Sequence, residues 1–110
     1  MQQIDDIAEN LRKGFYTSNP AGASNDLGIL AGNYAWVCGQ LENILQRKPA
    51  IWGEIRKNVK SDTACERAWE QTTDGLNEMG LKLRLKGMDK MSSALKSLIR
   101  LAEGEMRNIL

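Results

Sequence analysis

The sequence predicts an all-α protein, a helical hairpin or bundle with a long coiled-coil-like helix at its C-terminal end, and three observations lead there. Apolar residues recur at alternating spacings of four and three from Leu27 to Leu45 and again from Cys65 to Ile109, which lines them along one side of a helix of 3.6 residues per turn. Only two prolines interrupt 110 residues. Leu81–Lys86 alternates like a strand, but no other segment offers it a pairing partner.

Taken in order, Ile4, Ile7, Ala8, Leu11 and Phe15 predict a first amphipathic helix from about Ile4 to Tyr16 behind an acidic start. Asn19, Pro20, Gly22, Ser24 and Asn25 make Thr17–Asn25 a predicted loop. Asp26 is placed to cap the next helix, whose seam is Leu27, Ala31, Tyr34, Cys38, Leu41 and Leu45, with Leu30, Val37 and Ile44 beside it at intervals of seven. Pro49 is expected to end that helix and to open a short one carrying Ile51, Trp52, Ile55 and Val59. Ser61 or Asp62 is placed to cap the C-terminal helical region, and Thr63 with Glu66 has capping-box spacing. The chain reads as one helical domain over 1–110, with an N-terminal helix and loop in 1–25 and a helical core in 26–110.

The C-terminal region holds two seams. Cys65, Trp69, Thr72, Leu76, Met79 and Leu83 form one, and Leu81, Leu85, Met88, Ser92, Leu95, Ile99, Ala102, Met106 and Ile109 the other. On a continuous helix they lie roughly 160–200° apart, so its two halves bury different sides. A break at Asp74, Gly75 or Gly80 removes that phase change by folding the helix back, and the pattern favours continuity.

Charge arrives in blocks: net −3 over 1–46, +4 over 47–60, −4 over 61–80 and +4 over 81–110, for an overall +1. Asp62, Glu66, Glu70 and Asp74 make an acidic stripe at spacing four, while Lys82, Lys86, Lys90, Lys96, Arg100 and Arg107 share an arc of about 120° with Ser93 and Ser97. Like charges four apart destabilise a helix by a few tenths of a kcal/mol each, so both stripes are better tolerated near opposite charge, for instance across a subunit interface.

No Walker loop, dinucleotide fingerprint, serine elbow or CxxC pair occurs, and histidine is absent, so neither catalysis nor a metal or cofactor site is expected. Cys38 and Cys65 fall on apolar stripes and read as buried thiols of a reducing compartment. Asp5, Asp6 and Glu9 stand where a signal peptide needs a basic start, and no apolar run reaches the ~20 residues of a membrane span. The expected location is cytoplasmic, the host cytoplasm for a phage-encoded chain.

Lysines repeated along a rigid helix can track the phosphates of a nucleic acid backbone, which makes Lys82, Lys86, Lys90, Lys96 and Arg100 the leading binding residues. Arg56, Lys57 and Lys60, with Arg47 and Lys48, form a second cluster around Trp52; an aromatic there stacks a base or, more commonly at this spacing, fills a core. Asp62, Glu66, Glu70 and Asp74 and the seam Leu81, Leu85, Met88, Leu95 and Ile99 are the expected protein interface, including that of a homo-oligomer.

From about Leu27 onward, the run Lys60 to Thr73 containing KSDTACERAWEQT, the following Gly75, and Leu85 to Asn108 with KGMDKMSSALKSLIR, then Glu105, Arg107 and Asn108, look like the small helical proteins of phage recombination gene sets, of the T4-type recombination mediator kind. That resemblance implies an oligomeric protein that binds single-stranded DNA and helps load a recombinase in place of a single-strand-binding protein. It transfers no functional residue. The expected function is therefore a nucleic-acid-binding accessory protein of phage DNA recombination or replication, the alternative being an adaptor or inhibitor, for example of a host defence complex, that works through its helical surfaces.

Overall fold

The computed structural model describes the backbone of residues 2–109 and the side chains of residues 3–104. Among these residues the chain is all-α and holds no strand: α1 (Gln2–Lys13), a 3-10 turn (Phe15–Thr17), α2 (Pro20–Arg56), α3 (Asp62–Glu70) and α4 (Thr73–Ile109). Leu81–Lys86, strand-like in pattern, lies inside α4. The contacts divide the chain into two compact units, one of Met1–Tyr34 with Lys86–Leu110 and the other of Ala35–Leu85.

In the first unit α1 stops because Gly14 adopts the left-handed conformation, φ 73°, that glycine takes without a Cβ penalty. This turn resets the helical phase. Ile4 and Ile7 are buried as their spacing predicts, but Tyr16 enters the core in place of Phe15, which is left exposed. Tyr16 donates its hydroxyl to the Asp26 carboxylate. Burial and that carboxylate push the Tyr16 pKa up to about 12, with an Asn10 hydrogen bond opposing them.

The predicted loop at Thr17–Asn25 is mostly helix: α2 begins at Pro20, six residues before Asp26, which is therefore an interior residue and not a cap. Pro20 suits the first helical position because its fixed φ is already helical and its missing N–H would have had no partner there. The buried Ala23 and the Tyr16–Asp26 bond reward the added turn. Ala23 and Leu30 of α2 and Met88 and Leu95 of α4 are fully buried and belong to the core of this unit.

The second unit is built on the later part of α2, on α3 and on the start of α4. The buried row of α2 continues here as Val37 and Ile44, so the residues at intervals of seven are the centre of its seam, whereas Ala31 and Leu45 are exposed. Pro49 does not end the helix. It lies inside α2 on an exposed position, and so does Leu45, whose carbonyl has no N–H to accept from residue 49 because proline carries none. Ile44 before the proline is buried and Ile51 and Trp52 after it are half-buried, so apolar burial continues on both sides of it.

Ser61 caps α3, accepting the Ala64 N–H at 3.1 Å; Thr63 and Glu66 form no capping box. The C-terminal helical pattern does break, though at Gln71 and Thr72 and not at the glycines, and α4 then runs unbroken through Gly75 and Gly80. Thr72 makes the corner. Its hydroxyl donates to the Trp69 carbonyl at 2.6 Å and accepts the Gly75 N–H at 3.0 Å, so one side chain ends α3 and starts α4. A Cβ at position 75 would stand 1.9 Å from the Trp69 carbonyl oxygen, which is why glycine occupies it. The corner also resolves the two seams: Cys65 and Trp69 are buried through α3, and α4 buries the Leu81 series.

Candidate interaction surfaces

The two seams and the charge blocks meet in the second unit. Lys48 falls on the apolar seam of α2, four residues after Ile44, and Glu78 on that of α4, seven before Leu85. The Glu78 side chain is only 7% exposed as a residue, and it accepts the Trp69 indole N–H at 2.9 Å, with the Lys48 ammonium at 3.3 Å and that of Lys82 at 3.5 Å. Lys48 also lies 5.6 Å from the centroid of the Trp52 ring and 5.1 Å from that of Trp69, within cation–π range of both. Burial pushes the Glu78 pKa up, but the Trp69 hydrogen bond and the two ammonium groups outweigh it, and the carboxyl titrates below the ordinary glutamate range.

Around this centre two of the four residues of the acidic stripe, Asp62 and Asp74, are paired inside the chain. Arg47 grips Asp74 with two nitrogens at 3.0 and 3.1 Å, and that hydrogen-bonded pairing holds the Asp74 carboxyl below its usual range. Arg56 reaches Asp62 at 3.6 Å, Glu66 is half-buried and Glu70 is exposed. The opposite charge that the acidic stripe needs is thus supplied in part by α2 of the same chain. Of the second basic cluster, Arg47, Lys48 and Arg56 serve these pairs, Lys57 pairs with Glu54 at 2.9 Å, and Lys60 is exposed. Trp52 is half-buried beside Lys48, the core reading of that residue. Cys65 is buried, Cys38 is half-buried, and both are free thiols; burial pushes the Cys65 pKa up.

Leu81, Leu85, Met88, Leu95 and Ile99, expected at a protein interface, face inward: Met88 and Leu95 are fully buried and the other three half-buried. The large apolar residues of α4 left in solvent among the described residues are Leu76, Met79 and Leu83 of the other seam, in the second unit, and Leu101 in the first. Trp36 of α2 is exposed as well.

In the first unit α4 presents Lys86, Lys90, Lys96 and Arg100, all exposed, with Ser93 and Ser97 between them. They span about 21 Å of helix and about 120° of its circumference, away from Met88 and Leu95. None of the four makes an ion pair among the described residues, and Asp89 is the carboxylate in the same arc. Lys82 belongs to the second unit, where it leans on Glu78. Arg107, Met106 and Ile109 lie outside the residues whose side chains are described.

Glu78 has no place in the sites expected from the sequence, where Arg47 and Lys48 stand as members of a basic cluster and not as partners of Asp74 and Glu78. Glu78 was the next member of the spacing-four acidic series after Asp74, and Lys48 the next seam position after Ile44. Among the described residues no group of three or more histidine, cysteine, aspartate or glutamate side chains is placed to hold a metal ion, and no helix is long and apolar enough to cross a membrane. No family model, curated protein or solved structure matches the chain.

Proposed function

We propose that this chain binds nucleic acid as a non-catalytic accessory protein, laying the exposed cationic face of α4 along a phosphate backbone. The observation that carries the reading is the set Lys86, Lys90, Lys96 and Arg100, four cations on one rigid helical face without carboxylate partners among the described residues. Cations four residues apart repel one another by a few tenths of a kcal/mol on an isolated helix, and a polyanion relieves that repulsion. Successive members stand about 6–9 Å apart along the axis, a spacing that single-stranded backbone, being flexible, can match. Ser93 and Ser97 add hydroxyl donors to phosphate oxygens on the same face. The specific form of this reading is a recombination mediator on single-stranded DNA, in keeping with the likeness of Lys86–Arg100 to proteins of phage recombination.

The test is charge reversal: Lys86→Glu, Lys90→Glu and Lys96→Glu together, measured by anisotropy of a labelled oligothymidine. Loss of about two orders of magnitude in affinity is expected, at roughly 1 kcal/mol per phosphate contact removed. Reversal of Lys57 and Lys60, in the other unit, is the matched control and should cost little; an unchanged affinity in the triple variant removes the proposal.

A further inference from the structure

We infer that the outer face of α4 in the second unit, around Leu76, Met79 and Leu83, docks an amphipathic helix of another protein whose apolar stripe is flanked by carboxylates. These three residues are 58%, 49% and 61% exposed. They lie on the side of α4 away from Glu78 and Leu85, at spacings of three and four, the geometry of a helix-in-groove contact. Gly80 lies at the edge of this strip, beside Leu76 and towards Arg84. A Cβ there would meet nothing within 4 Å, and the missing side chain opens a cleft of about 130 Å³ walled by Leu76, Asn77, Leu81 and Arg84. The face therefore offers a hole for one apolar knob as well as three knobs of its own.

Charge selects the occupant. Exposed Lys82 and Arg84 flank the strip on its two sides, and between Gly75 and Leu85 the sole carboxylate is the buried Glu78, already bound to Trp69, Lys48 and Lys82. The same face of a second copy would bring cations against cations across a two-fold axis. A helix with glutamate or aspartate beside its apolar stripe instead meets Arg84 at the rim of the cleft, where a charge pair sets orientation and partner choice. This inference concerns a different surface from the proposed nucleic-acid face and does not depend on it.

The probes are two synthetic helical peptides of roughly 20 residues with an identical leucine stripe, one flanked by glutamates and the other by lysines. Each is fluorescein-labelled and titrated with the full chain. The glutamate peptide should bind about tenfold more tightly or better, Arg84→Glu should reverse that order, and Leu83→Asp should abolish binding while the circular dichroism spectrum and melting curve stay those of the parent. Equal affinities, no binding of the glutamate peptide, or a preference that survives Arg84→Glu overturns the inference. So does sedimentation as a dimer that Leu83→Asp dissociates, which assigns the face to a second copy, or capture of anionic vesicles that depends on Leu83.

Discussion

Single atoms decide the corner between α3 and α4. Gly75→Ala places a methyl 1.9 Å from the Trp69 carbonyl oxygen, and the backbone must move to admit it. A loss of about 2–4 kcal/mol is expected in urea denaturation. Gly32→Ala is the contrast, because nothing lies within 4 Å of that Cβ inside α2 and the change should add about 0.5–1 kcal/mol. If both substitutions destabilise alike, the tight approach at Gly75 is not what selects glycine there. Tyr16 gives a second prediction at this scale. Its folded pKa of about 12 lies above the ordinary tyrosine value near 10, so the folded state holds its proton the more tightly. The resulting stabilisation is complete below pH 10 and is lost between about pH 10 and 12, at about 1.4 kcal/mol per pH unit. In Tyr16→Phe that alkaline decline should be absent from denaturation curves collected across the range.

At the scale of the element, buried charge fixes how the helices of the second unit pair. Lys48 and Glu78 take seam positions that Leu or Met could fill, so removing one partner strands the other in the core. Lys48→Met should cost about 2–4 kcal/mol, softened because Lys82 and Trp69 still reach Glu78. Lys48→Met with Glu78→Gln, which removes the stranded charge and keeps an acceptor for the buried Trp69 indole N–H, should recover most of that loss, and a double-mutant cycle measures the coupling. The Glu78 carboxyl titrates below its ordinary range, so the pair stabilises the fold above that range and the gain disappears as acid takes the pH below it. Pro49→Ala, inside α2, should raise stability by up to about 3 kcal/mol, since it restores a donor for the Leu45 carbonyl.

These elements also separate what the amino-acid pattern discloses from what it hides. Helical class, the buried rows of α1 and α2 and the cap at Ser61 arise from local periodicity and local hydrogen bonding, which a short window contains. Where α2 begins does not, because Tyr16 and Ala23 reward helix in a stretch rich in loop residues, although Asn19–Pro20 has the form of a helix start. Pro49 reads as a boundary because propensity opposes it, and packing on both sides overrides the propensity. The exposed cationic face is legible as a stripe, but which acidic residues are already paired emerges only once the helices are brought together.

For the molecule as a whole, the two units divide the surfaces between them. The first carries the cationic face of α4, and the second carries the internal ion pairs and the exposed strip at Leu76, Met79 and Leu83. Binding of nucleic acid through the first unit rests on counterion release from Lys86, Lys90, Lys96 and Arg100. The most direct test is the affinity for a labelled oligothymidine as a function of salt. Four phosphate contacts to a single strand predict a slope of log K against log salt of about −2 to −3, falling by roughly 0.7 for each of these cations replaced by alanine. A slope near zero, or one that the four alanine substitutions leave unchanged, contradicts the account.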